Sequence, residues 1–158
     1  MLSAEKINYD LLCQQAECLI AGEPNLTANL ANLSALIYNS VPDLNWAGFY
    51  WLDSPSELVL GPFQGQVACV RIPVGKGVCG TAVATGSSQR VDDVHQFAGH
   101  IACDNASESE LVVPIRVAGN VVGVLDLDAP VKARFNEQDR HGIEQLVRVL
   151  ERHLEQVQ

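Results

Sequence analysis

Two apolar, β-branched runs, Leu111 to Val117 and Val121 to Asp128, flank Ala118-Gly119-Asn120, and a connection that short can only return the chain antiparallel to itself. The other elements arrange around this hairpin. Upstream, Trp46 to Leu52, Leu58 to Phe63 and Val67 to Ile72 are aromatic and β-branched runs parted by Ser54-Pro55-Ser56 and Gly65, again too close for crossover helices. Two helical stripes precede them. Ile7, Leu11, Ala16, Leu19 and Ile20 form the first, with Ser3 as cap and Glu5 in the first turn, ending at Gly22 and Pro24. Leu26, Leu30, Leu33 and Ile37 form the second, which stops at Asn39 and Pro42-Asp43.

Beyond the three runs, Gly75 to Gly80 opens a short helix ending at Gly86, and Gln89 to Val91 is a brief strand. Asp92 to Ala106 reads as a long polar loop with histidines, a length uncommon in compact domains unless the segment binds something or is disordered; it is taken as a site loop. A final helix is capped by Asn136, with Asp139 in the first turn, and carries Ile143, Leu146, Val147, Leu150, Leu154 and Val157 on one face. The expected fold is α+β, with a largely antiparallel central sheet flanked by N-terminal and C-terminal helices.

At 158 residues, 47% apolar and 18% charged, the chain has the size of a single domain spanning 1–158. A chain this long buries roughly two-thirds of its unfolded surface and needs no disulfide or metal staple. Its cysteines are therefore free for chemistry. A formal charge of −9 opposes binding to phosphate backbones and anionic leaflets. Uninterrupted apolar stretches such as Val121 to Leu125 fall far short of the roughly 20 residues that span a bilayer. The N-terminus lacks the basic start and apolar run of a secretion signal, so the expected location is cytoplasmic. Five cysteines make an odd number for a secreted disulfide framework, and in a reducing compartment a cysteine pair is more naturally redox-active.

Cys69, Cys79 and Cys103 lie in one part of the chain, two of them beside glycine-rich or irregular backbone. Cys79 falls near the start of the short helix, where free amides and the helix dipole favour a thiolate. Cys103 follows His95 and His100, and a nearby imidazolium would also lower its pKa. Cys69 is expected in a strand. Cys13 and Cys18 sit in the first helix as ordinary small hydrophobes. A zinc site built from Cys69, Cys79, Cys103 and a histidine is the rival reading, but no C-x-x-C knuckle supports it, and no metal is expected.

Asp126 and Asp128 are two apart on a strand and so share a face with Val122 and Val124. If the hairpin loop has three residues, Glu110 pairs with Asp128 and Val112 with Asp126, which gathers three acids; a two-residue loop would scatter them. Crowded carboxylates raise one another's pKa and can hold a proton near neutrality or receive an ammonium group. The amides of the Gly75–Gly80 turn offer a place for an anion, although the turn is neither a Walker loop nor a dinucleotide fingerprint. His141 and His153 are read as surface residues of the last helix.

Val67-Ala68-Cys69-Val70-Arg71-Ile72-Pro73, Gly77-Val78-Cys79-Gly80-Thr81, Asp92-Asp93-Val94-His95, Gly99-His100-Ile101-Ala102-Cys103-Asp104 and Gly123-Val124-Leu125-Asp126-Leu127-Asp128 together resemble the free methionine-(R)-sulfoxide reductases, a family built on a GAF domain. The resemblance runs from about Trp46 to Asp139, and the leading helices fit the family's layout. It implies an enzyme that reduces free methionine-(R)-sulfoxide, with no cofactor of its own and thioredoxin as external reductant. By similarity Cys103 is the nucleophile that becomes a sulfenic acid and Cys69 the resolving cysteine. Cys79 is the third conforming cysteine, and an exchange of parts between Cys79 and Cys103 stays open. Glu110, Asp126 and Asp128 match the family's acidic substrate residues, and Trp46 matches a wall for the substrate methyl. By analogy with other GAF domains a homodimer is expected. The alternative reading is a noncatalytic GAF module that senses a small ligand.

Overall fold

The computed structural model describes residues 6–101 and 106–157. Along the chain run α1 (Tyr9–Ile20), α2 (Leu26–Ser40), β1 (Trp46–Ser54), β2 (Glu57–Gly65), β3 (Arg71–Pro73), α3 (Gly77–Thr85), β4 (Gln89–Val91), β5 (Ser109–Val117), β6 (Asn120–Ala129) and α4 (Glu137–Gln156). The strands form one sheet in the order β3-β2-β1-β6-β5-β4, with every neighbouring pair antiparallel. This is the expected α+β arrangement, and among the described residues no helix is long and apolar enough to cross a membrane.

The β5–β6 hairpin reaches its expected register by an unexpected route. Val117 pairs with Asn120, so the turn has two residues, Ala118 at φ 52° and Gly119 at φ 82°. Positive φ at both positions matches the twist of the flanking strands. Such a turn alone would displace the acids. However, Arg116 pairs with Val121 while Ile115 pairs with Gly123, leaving Val122 as an unpaired extra residue. This bulge restores the pairing of Glu110 with Asp128 and of Val112 with Asp126. It also breaks the two-residue alternation, so Val122 packs with the helices while Val124 faces the other way, contrary to the shared face expected from spacing.

The sheet separates two apolar clusters. On one face α1, α2 and α4 cover Ala47, Phe49, Leu111, Val113, Ile115, Leu125 and Leu127. On the other, Trp46, Tyr50, Leu58, Ile72, Val112 and Val124 pack with Val78, Cys79 and Ala82 of α3.

Several boundaries differ from the sequence expectation. The Ser3 cap and Glu5 lie outside the described residues, and Asn8 caps α1 by accepting a hydrogen bond from the Leu11 amide. The buried stripe of α1 is Leu12, Ala16 and Ile20, leaving Leu11 and Leu19 exposed. Strand β3 is only Arg71–Pro73, paired with Glu57 to Val59 of β2, and the segment from Gln66 to Val70 runs as a strap outside the ladder. Within the loop after β4, Val94–Gln96 forms a short 3-10 turn capped by Asp93. Asn136 and Asp139 do form a reciprocal capping box, and Asp139 also accepts from Tyr9 Oη at 2.6 Å, tying α1 to α4. His153 is buried rather than on the surface, its Nε2 lying 2.8 Å from the Glu23 carbonyl, whereas Val157 is exposed beyond the end of α4.

Candidate active site

Across β1, β6 and β5, Trp46, Asp128 and Glu110 fall in one cross-strand row, and Gly48, Asp126 and Val112 stand two residues along it. The pleat sends both rows to the α3 side of the sheet. Gly48 has no side chain for a reason visible here: a Cβ there would come within 2.8 Å of the Trp46 indole. The indole folds over that bare strand and stacks on Phe63 at 5.2 Å and on Tyr50 at 5.9 Å between ring centroids. Opposite these rings, Gly80 lets α3 start close to the preceding turn, since a Cβ would meet the Gly75 amide at 3.0 Å. That close approach lowers Val78 and Cys79 onto the sheet, where both are buried.

The result is a cavity of about 50 Å³ walled by Trp46, Tyr50, Cys79 and the three carboxyls, with His100 and Ile101 contributed by the loop. It is small beside the several hundred Å³ of a nucleotide-sized site. Among the described residues that line it there is no Lys or Arg. Glu110, Asp126 and Asp128 are nevertheless all buried. Burial, reinforced by the charges of Asp126 and Asp128 and by hydrogen bonds to both, pushes the Glu110 carboxyl well above its usual range. Burial also raises Asp126, against hydrogen bonds from Glu110 and the Cys79 thiol that favour its charged form. Asp126 Oδ1 is buried with no hydrogen-bond partner in the protein. An unmet buried carboxylate oxygen beside a carboxyl that retains its proton is suited to accept an ammonium group while its neighbour donates a hydrogen ion.

A wider groove of about 390 Å³ lies between the end of α3 and α4. Its acids are already engaged there: Ser88 and Arg140 bond Glu144, and the Arg116 amide bonds Glu151.

The structure thus brings together Trp46, Cys79, Glu110, Asp126 and Asp128 of the residues singled out in the sequence. Cys79 behaves differently from its helix-start expectation. Burial, then the charges of Asp126, Glu110 and Asp128, push its thiol well above the ordinary value, the opposite direction from that expected at a helix start. Cys69 is half-buried on the strap rather than in a strand, and it is disulfide-bonded, which removes it from a thiolate zinc set. Its carbonyl accepts from Tyr50 Oη at 2.9 Å. Cys103 lies outside the described residues. Cys13 and Cys18 carry free thiols away from the cavity. His95 pairs with Glu108 at 3.1 Å, and His100, which lines the cavity, is shifted below the usual histidine value by burial and by His95. In the glycine turn the Gly75, Gly77 and Gly80 amides are committed to Gly80, Gly99 and Lys76 carbonyls, which leaves less of that turn for an anion than its composition suggests.

His100 and Ile101 of the loop taken as a site loop do reach the wall, whereas Tyr50 and Ser107 were not anticipated there. Tyr50 had a signal, an even offset from Trp46 along one strand. Ser107 had none, since it precedes β5 and is placed by its contact with Asn45 Nδ2 at 3.2 Å.

Comparison with known proteins places this geometry among relatives. Residues 27–155 match the GAF domain family model. Free methionine-R-sulfoxide reductase of Escherichia coli strain K12 is 56% identical over 144 residues, covering 91% of this chain and 87% of that protein. The structure of fRMsr of Staphylococcus aureus in its reduced form superposes with a TM-score of 0.93 at 51% identity, over 98% of this chain and 99% of the other. Free methionine-R-sulfoxide reductase from Neisseria meningitidis, solved in complex with its substrate, superposes with a TM-score of 0.91 at 42% identity, over 98% and 93%.

Proposed function

Because the chain belongs to the GAF-domain family of free methionine-R-sulfoxide reductases, we propose that it reduces the free amino acid L-methionine-(R)-S-oxide to methionine. The observation that carries this reading is the buried trio Glu110, Asp126 and Asp128 in a cavity whose described lining holds no Lys or Arg, with Asp126 Oδ1 unmet. A free amino acid supplies the missing cation through its α-ammonium, which the ionised members of the trio receive. The stacked Trp46 and Tyr50 rings take the methylated sulfur end. A peptide-bound residue has no α-ammonium and would leave the acids unpaired, a mismatch worth several orders of magnitude in rate.

In the proposed chemistry the Cys103 thiolate attacks the sulfoxide sulfur, and protonated Glu110 gives its hydrogen ion to the departing oxygen. The attack forms a sulfur–sulfur bond to the protonated sulfoxide; the hydroxyl then passes from the methionine sulfur to Cys103 Sγ as that sulfur–sulfur bond breaks, so Cys103 becomes a sulfenic acid and methionine is released. Cys69 then condenses with that sulfenic acid, expelling water and closing a disulfide. Thioredoxin supplies the two electrons that reopen it, and no resident cofactor or metal takes part. Cys79, whose thiol keeps its proton and donates to Asp126, fits a supporting role better than that of attacker. Cytoplasmic residence and pairing of two copies belong to the same proposal. Exposed Leu11 and Leu19 on α1 give the pairing a candidate face, tested by sedimentation at several concentrations.

The test is NADPH consumption with thioredoxin and its reductase on the separate R and S epimers of free methionine sulfoxide. Turnover of the R epimer alone is expected, and its loss in Cys103→Ser with substrate binding retained. Binding without turnover of either epimer in the unaltered protein would instead support the ligand-sensing alternative.

A further inference from the structure

We infer that the strap from Gln66 to Val70 is the docking face for a protein dithiol, with Val67 and Val70 as its apolar contacts. The inference rests on the reading above, in which Cys69 becomes half of a disulfide in each turnover. Val67 and Val70 are 84% and 60% exposed, more than any other large hydrophobic residue among those described. A single exposed valine needs no explanation, but here two flank one sulfur. Between them, Ala68 lines the cavity and Cys69 is the disulfide-bonded residue, so a short stretch of chain presents an apolar contact, a cavity wall, a reducible sulfur and a second apolar contact in turn.

The strap is held from within. Trp46 Nε1 donates to the Gln66 carbonyl at 3.0 Å and Tyr50 Oη to the Cys69 carbonyl at 2.9 Å, while the Leu60 amide donates to the Val70 carbonyl at 2.9 Å. None of these bonds uses the valine side chains. The strap therefore keeps its place through its backbone, and the valines are free to meet another surface. Of the possible occupants, a second copy of this chain gives no reason for the valines to sit at the redox sulfur. A protein reductant does, because its thiolate must line up with Cys69 Sγ and only contact beside that sulfur can hold it there.

The exchange balances as follows. One thiolate of the partner attacks Cys69 Sγ, forming a mixed disulfide as the other cysteine of this chain leaves as a thiolate. The partner's second thiolate then attacks its own mixed-disulfide sulfur and releases Cys69. The partner is oxidised by two electrons, this chain is reduced by two, and the partner's two thiol protons pass to the two released thiolates.

The experiment compares Val67→Asp, Val67→Lys and Val70→Asp with the unaltered protein, using free methionine-(R)-sulfoxide and either thioredoxin or dithiothreitol as reductant. A small dithiol reaches the sulfur without a docking face. The expected result is a rise of about tenfold in KM for thioredoxin in each variant, with dithiothreitol-driven turnover and KM for the sulfoxide unchanged. Thioredoxin KM values within about twofold of the parent would overturn the proposal, as would an equal fall with both reductants, which would make the valines part of the strap's fold. Weakening by Asp but not by Lys would replace apolar contact with charge and overturn it too. Failure of the unaltered protein to turn over with either reductant would sink the reductase reading itself, a result separable from all of these.

Discussion

Glu110 sits where its carboxyl is largely withdrawn from solvent and where two other acids face it, so its ionisation is coupled to folding as well as to the proposed chemistry. Below its ordinary value of 4.5, folded and unfolded chains both carry the proton and burial of the group has no ionisation cost. As pH rises past that value the unfolded chain ionises first, so this group's contribution to stability falls with rising pH until the folded-state value is passed. In Glu110→Gln the amide can still donate to Asp126 but cannot ionise. Urea denaturation should show the variant more stable than the parent at pH 8, with the difference vanishing at pH 4, while turnover falls by about 10²-fold or more for want of the general acid. Cys79 yields a second test at this scale. Its buried, proton-retaining thiol should escape iodoacetamide in the folded chain at pH 8 while exposed Cys18 is alkylated; mass mapping before and after unfolding reads the difference. That Asp126 and Asp128 share a face is a local fact of the sequence; their meeting with Glu110 was not legible there, because it depends on the Val122 bulge that offsets the two-residue turn. The state of Cys79 was not legible either, since its surroundings come from β5 and β6, far along the chain.

At the scale of elements, the site depends on two departures from regular strand. Without the Val122 bulge, the two-residue turn would carry Asp126 and Asp128 to the helix-covered face. Without bare backbone at Gly48, the Trp46 ring has nowhere to lie. Gly48→Ala should therefore lower stability by about 1–3 kcal/mol and raise KM for the sulfoxide, measured by denaturation and by initial rates on the same preparation. Periodicity anticipated most elements, including α2, the β1–β2 pair and the α4 capping box. It failed for β3, where Val67 to Val70 look like a strand by composition yet join no ladder, with Val67 and Val70 exposed and Ala68 turned to the cavity. It misplaced α1 by one step, choosing Leu11 over Leu12, since both leucines fit a helical stripe and only packing against α4 distinguishes them.

For the whole molecule, α1 is joined to the C-terminal helix by a bond between residues far apart in sequence. Tyr9 donates to Asp139, which also anchors the α4 cap and pairs with Arg134 at 3.2 Å. Tyr9→Phe should cost about 1–3 kcal/mol in urea denaturation, because it leaves a buried acceptor short of a donor, while turnover at 25 °C stays unchanged. No local pattern in the sequence announces such a tie; the antiparallel α+β plan was legible only because short connections exclude most other topologies. The sheet that carries everything is one layer thick, and neighbouring residues on a strand belong to different chambers: Leu125 and Leu127 to the helical side, Asp126 and Asp128 to the cavity. Adjacent positions along β6 therefore answer to different demands, one set by the fit of the helices and the next by what the cavity must hold.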